Sequence, residues 1–118
     1  DVCVPISALS ASIEKTKKAI EKSGLLAPIA GHVGDGNYHL MILFDGESED
    51  GLSRAKSLAS EVNEIALDFG GTVTGEHGIG SGKRSYMERE HGEAWSIMGN
   101  IKELFDPNNI MNPGKLVP

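Results

Sequence analysis

At 118 residues the chain suits one domain with a modest core. Its 39% hydrophobic and 24% charged residues are ordinary for a globular chain. The formal net charge of −6, with no basic cluster longer than Lys17-Lys18 or Lys83-Arg84, excludes a nucleic-acid footprint, and the longest apolar run, residues 25–30, is too short to span a bilayer.

Cys3 is the sole cysteine, so an internal disulfide is excluded and a reducing compartment is expected. The chain opens on Asp1-Val2-Cys3-Val4-Pro5, without Met and without a basic leader, which reads as a piece of a longer protein with no signal peptide. Residues 2–4 are strand-like. Leu9, Ile13, Thr16 and Ile20 recur at helical spacing, with Ser7 placed to cap the helix and Gly24 to end it. Residues 25–33 and 38–44 read as strands, the first weakened by Pro28. A polar turn over 45–51 leads to the clearest helix, with Leu52, Ala55, Leu58, Ala59, Val62, Ile65, Ala66 and Phe69 on one stripe, ended by Gly70-Gly71. Residues 72–74 are a short β-branched strand and 75–82 a glycine-rich loop. Helical segments over about 83–90 and 93–105 follow, divided by Gly92, and Trp95 and Met98 are expected in the core. The order β-α-β-β-α-β, then helices, predicts an α+β fold: a ferredoxin-like split β-α-β-β-α-β antiparallel sheet with its helices on one face, followed by C-terminal helices.

Two of the four histidines flank a tight turn in "GHVGDGNYH", residues 31–39. Asp35-Gly36 is a favoured two-residue type I′ hairpin turn. With that loop His32 faces His39 across the hairpin, close enough for both imidazoles to share one metal ion. Equally, one His packs against the sheet while the other faces solvent. A catalytic metal usually takes a third protein ligand, and "TVTGEHGIG" offers Glu76, with His77 beside it. Two His and one carboxylate suit Zn²⁺, Mn²⁺ or Fe²⁺. In a ferredoxin-like sheet, however, Glu76 leaves the edge away from the hairpin. Either its loop folds back, or the strand order differs, or Glu76 is a solvated carboxylate. The stretch "GIGSGKR" fails both the P-loop and the dinucleotide glycine patterns. On the residues alone three readings stay open: a catalytic metal site, a metal- or ligand-binding module without chemistry, and an α+β interaction domain.

Taken together, "GHVGDGNYH", "GGTVTGEHGIGSGK" and "IKELFDPNNIMNPGK" resemble the C-terminal domain of FAD-linked oxidases of the vanillyl-alcohol oxidase type. The resemblance runs nearest to the D-lactate dehydrogenases and glycolate oxidase subunits. The motifs occur in family order across most of residues 31–115, and "DVCVP" resembles the stretch that opens this half of the domain.

The resemblance implies His32, His39 and Glu76 as ligands of a divalent metal, Zn or Mn, and His77 as the base on a substrate hydroxyl. It implies that Asn112, in the tail "NPGK", lies near the flavin. It implies FAD, bound by an N-terminal domain that this chain lacks, and a small D-2-hydroxy acid as substrate. Met41, two residues after His39, stands where relatives acting on 2-hydroxyglutarate are expected to carry Asn, which favours a short or apolar acid such as D-lactate. The whole of residues 1–118 is then one partial domain, the C-terminal part of a substrate domain, expected to be inactive alone. The face left by the missing domain is expected to be apolar and able to support a homodimer. The expected location is the cytoplasm or mitochondrial matrix, with peripheral membrane attachment of the parent protein left open.

Overall fold

The computed structural model describes residues 1–117. The chain forms two compact units, Asp1–Glu76 and a second that begins at His77.

The first unit is α+β. Its elements are β1 (Val2–Cys3), α1 (Leu9–Ser23), β2 (Ile29–Ala30), β3 (Asn37–Leu40) and α2 (Gly51–Asp68). The three strands form an antiparallel sheet in the order β1-β3-β2. β1 pairs Val2 with Tyr38 and Cys3 with Asn37, and β2 pairs Ile29 with Leu40 and Ala30 with His39. The expected fourth strand is a single antiparallel bridge, Cys3 with Thr72, on the free side of β1. The expected strand over 25–33 is likewise cut to two residues and one bridge, Leu26 with Leu43. Pro28 donates no ladder hydrogen bond, which limits how far that strand extends.

Strand alternation sorts the sheet into two faces. Val2, Val4 and Tyr38 point inward and are buried, with Leu40 and Ile29 packed beside them. The inner face meets α1 and α2, which pack on each other. From α2 the core takes Leu58, Val62, Ile65 and Ala66, while Leu52, counted on the same stripe by spacing, is exposed. α1 differs more from expectation. The residues it buries fully are Ser12, Thr16 and Ala19, and Leu9, Ile13 and Ile20 are only partly covered. The reason is Tyr38, whose hydroxyl sits in the core and bonds Ser12 Oγ at 2.7 Å and Thr16 Oγ1 at 3.1 Å. Small polar residues on α1 make room for the ring and satisfy its oxygen. Ser7 is not the helix cap; it lies in a 3-10 turn, Ile6–Ala8, that leads into α1. Gly24 ends α1 in the left-handed conformation, as expected.

The second unit is built from a 3-10 turn (Arg84–Tyr86), α3 (Met87–His91) and α4 (Ala94–Phe105). Met87 and Val117 are buried. The expectation that Trp95 and Met98 form core is corrected: both are only half-buried, and α4 buries no residue fully. Trp95 Nε1 donates to the Leu116 carbonyl at 3.2 Å, so the indole ties down the tail. Asp106 ends α4 and is the unit's buried polar hub. It accepts from the Ile110 and Met111 N–H groups at 3.0 and 2.9 Å and pairs with Lys102. The bonded Lys102 ammonium holds the Asp106 carboxyl below the usual carboxylate range, against the opposing pull of burial, and the two N–H donors add to it.

Two outcomes follow. Tyr38→Phe strips a shared partner from two buried hydroxyls and should cost about 1–3 kcal/mol in a denaturant melt. A depressed Asp106 pKa contributes stability that is full above the unfolded carboxylate value of about 4 and is lost as pH falls toward the folded value. Acid titration of the second unit should show this loss below about pH 4, and Asp106→Asn should abolish that part of the slope.

Candidate functional site

His39 lies on β3 between Tyr38 and Leu40, so its side chain leaves the sheet on the face opposite the helices. Its position opposite Ala30 corrects the predicted pairing with His32. The turn is not a two-residue hairpin. The chain makes a 3-10 turn, Val33–Asp35, closed by Asp35 N–H and Asn37 N–H, which both donate to the His32 carbonyl, at 2.8 and 3.3 Å. Gly36 sits at φ 80°, and a Cβ there would strike the Val4 carbonyl, so β1 approaches the turn too closely for any side chain.

The register is therefore displaced by two residues from the predicted one. A shift of two keeps every side chain on its face, whereas a shift of one would have turned His32 away. His32 becomes the diagonal neighbour of His39, and the two rings meet edge to face with centroids 6.2 Å apart.

Glu76 reaches both. Its Oε1 lies 3.0 Å from His39 Nε2 and 3.6 Å from His32 Nε2. The three ligand atoms all fall within 4.8 Å of one another. Metal–ligand distances of about 2.0–2.1 Å put adjacent ligand atoms roughly 2.9–3.4 Å apart in octahedral or tetrahedral sites. The His39–Glu76 pair falls in that range and the His32–Glu76 pair just outside it, and two imidazole nitrogens with a carboxylate oxygen are a donor set that suits a first-row divalent ion. His32 and Glu76 are exposed and His39 is half-buried, so an ion there would keep positions open to solvent or substrate.

The route of Glu76 answers the topological difficulty. Thr72 bridges Cys3 on the side of β1 away from β3. Three residues past that register the chain turns at Gly75, φ 33°, and Glu76 is brought back toward β3. The turn is held by Asp1. Its side chain is 4% exposed, and its Oδ2 accepts the Glu76 N–H at 3.0 Å. Asp1 Oδ1 accepts from Asn37 Nδ2 at 2.8 Å and lies 3.2 Å from His39 Nδ1. Asn37 Nδ2 also donates to the Val2 carbonyl at 3.0 Å. Both its partners are pure acceptors, which fixes the amide orientation, at the cost of a buried Oδ1 with no partner among the described residues. Asp1 opens the DVCVP stretch that carries part of the resemblance, but the sequence reading gave it no place in the site. The only signal was its place two residues before Cys3, and that acquires meaning only with the strand register.

His77 directly follows Glu76 and is exposed. Asn112 belongs to the second unit, where it lines a cavity of about 550 Å³ with Phe105, Asp106, Met111 and Lys115. Met41 is exposed and, by strand alternation, shares the face of His39.

The family model for FAD linked oxidases, C-terminal domain, matches residues 1–116. The chain belongs to that family. Over its full length it is 49% identical to the mitochondrial D-lactate dehydrogenase [cytochrome] of Arabidopsis thaliana. It is 46% identical over 99% of its length to the probable mitochondrial D-lactate dehydrogenase of Danio rerio. With glycolate oxidase subunit GlcD of Bacillus subtilis the identity is 36% over 98% of the chain. The chain spans 21%, 24% and 25% of these three relatives, so it corresponds to one domain of much longer proteins.

The Gly75 turn makes the site sensitive to one methyl group. A Cβ at this position would run into the Asp1 carboxylate from a backbone conformation that L residues avoid. Gly75→Ala should destabilise the first unit by about 1–3 kcal/mol in a denaturant melt. It should also move Glu76 away from His39, read as a change in the His39 ring chemical shifts.

Proposed function

We propose that this domain holds a divalent metal, Zn or Mn, on His32, His39 and Glu76, and with it the 2-hydroxy acid substrate of a flavin-dependent dehydrogenase. The observation that carries the reading is the convergence of two Nε2 atoms and Oε1 on the open face of the sheet, from residues far apart in sequence. Family membership supports the flavin, and the names of the relatives support D-lactate as the acid. The exposed Met41 on that face supports a substrate with a short or apolar tail.

The chain's own residues divide the work. His32, His39 and Glu76 are the ligand set. When bound, the metal would polarise the substrate hydroxyl and orient the acid. His77, next in sequence to a ligand, takes the hydroxyl proton on an imidazole nitrogen as general base. FAD supplies the acceptor for the hydride that leaves the hydroxyl-bearing carbon. The domain that would bind FAD, and the residues that would hold the substrate carboxylate, lie outside this chain, so the chain alone does not turn over substrate. Asn112 would lie near that flavin. Leu104, Phe105, Ile110 and Met111, exposed on the second unit, are the apolar surface that the flavin domain, or a second copy, would cover.

The sheet supports the split β-α-β-β-α-β reading, with the fourth strand reduced to the Thr72 bridge outside β1. Among the described residues no helix is long and apolar enough to cross a membrane, and the names of the first two relatives support a mitochondrial location. A binding module without chemistry is the second reading, favoured by one fact: all three ligands lie within the first unit.

Elemental analysis tests the metal. The chain should carry near-stoichiometric Zn or Mn, and His39→Ala or Glu76→Gln should lose it while circular dichroism stays unchanged. Equal metal in parent and variants would overturn the ligand set. A flavin absorbance band in the purified chain, or dye reduction with D-lactate, would overturn the claim that it is inactive alone.

A further inference from the structure

We infer that Asn37 is a positioning residue of this site: through Asp1, its side-chain amide sets where the Glu76 turn stands relative to β3. The purpose of that relay rests on the ligand reading above, but its physical content is the placement of a backbone turn.

The sheet register brings the three residues together. Asn37 pairs with Cys3 across β1 and β3, so Asp1, two residues before Cys3, is its diagonal neighbour on the same face. Diagonal neighbours stand roughly 7–8 Å apart, within reach of two polar side chains that meet between the strands. Cys3 also bridges Thr72 through a pair of backbone bonds. Its N–H donates to the Thr72 carbonyl at 3.0 Å, and the Thr72 N–H donates to the Cys3 carbonyl at 2.7 Å. Asn37 therefore lies on one flank of β1 and Thr72 on the other, with Asp1 on the line of β1 itself.

The amide of Asn37 can adopt one orientation. Its Nδ2 carries two protons, of which one goes to Asp1 Oδ1 at 2.8 Å and the other to the Val2 carbonyl at 3.0 Å. A flip would set the amide oxygen against two acceptors. Asn37 is 5% exposed and the Asp1 side chain 4%, so water competes little for either. With Oδ1 held by Asn37, the Asp1 carboxylate presents Oδ2 to the Glu76 N–H at 3.0 Å. Both bonds end on a carboxylate, and charge-assisted bonds of this kind are stronger than neutral ones. Gly75 completes the packing: a Cβ there would strike the Asp1 carboxylate, so the turn rests directly on that group.

The relay matters because of what Glu76 reaches. Its Oε1 is 3.0 Å from His39 Nε2 and 3.6 Å from His32 Nε2. Its side chain is about half exposed, and the position of its backbone sets which of those contacts it can make. β3 thus supplies His39 directly and, two residues earlier, the amide that anchors Glu76. The competing role is plain strand bracing, in which the bond to the Val2 carbonyl only holds β1 on β3.

The experiment separates the two roles. In the ¹⁵N-labelled, metal-free chain the Glu76 amide proton should resonate downfield and exchange slowly, as a bond to a carboxylate requires. Asn37→Ala should move it upfield and speed its exchange by about tenfold or more, while the amides of α2 keep their protection. If Asn37 only braces the strands, the melting midpoint falls and the Glu76 amide does not move, which overturns the inference. A charge-conserving swap supplies the rescue. Asn37→Asp sets two carboxylates against each other. Adding Asp1→Asn restores a donor and an acceptor of the same shape, and should bring the Glu76 amide back toward the parent. If Asn37→Ala does not fold by circular dichroism, this pair carries the test, and a Glu76 amide that is the same with and without Asp1→Asn overturns the inference. In competition with a chromophoric chelator, Zn²⁺ should bind about 10–100-fold more weakly to Asn37→Ala than to the parent. Affinity untouched by Asn37→Ala, in a parent that binds the ion, overturns the inference and leaves the ligand set standing. No Zn²⁺ on the parent, with a Glu76 amide that answers to Asn37, removes the ligand reading and leaves the placement of the turn.

Discussion

A single carboxylate joins the pieces of this site. Asp1 accepts from Asn37 Nδ2 on β3 and from the Glu76 backbone N–H, which lie far apart in the chain, and it stands beside His39. Asn37 on β3 and the Glu76 backbone are thereby held by the same carboxylate. The short strands make this link matter. A sheet of two-, four- and two-residue strands has few ladder hydrogen bonds to fix the relative position of its edges, so a buried side-chain network does that work.

The sheet also divides its labour by face. Inward residues of β1 and β3 build the core with α1 and α2, centred on Tyr38 and its two hydroxyl partners. Outward residues of the same strands carry Asp1, Asn37 and His39. Neighbours along one strand thus alternate between stability and chemistry, and the rigidity of the core is passed directly to the site. α1 and α2 pack on the inner face, and His39 leaves the sheet on the other.

Much of this was legible in the residues. The spacing of apolar positions marked both long helices, Gly24 marked the end of α1, and the two histidines and Glu76 were identified as a set before any geometry was known. The errors are equally particular. Asp35-Gly36 suggested a two-residue hairpin, because that pair favours it when two strands meet without outside interference. Here β1 presses its Val4 carbonyl against Gly36 and a wider turn results. The apolar stripe of α1 predicted burial of Ile13 and Ile20, but Tyr38 needed small polar partners and took Ser12 and Thr16. Trp95 and Met98 looked like core by size and spacing, yet α4 has nothing within its own unit large enough to enclose them.

Local sequence determined the two long helices and the parity of the hairpin, since a period of two settles which side chains share a face. Tertiary structure alone decided the register, the return of Glu76 toward β3, and the contacts of Asp1. The reason is range. Helical period and turn chemistry act over a few residues, whereas Asp1 meets partners 36 and 75 positions away.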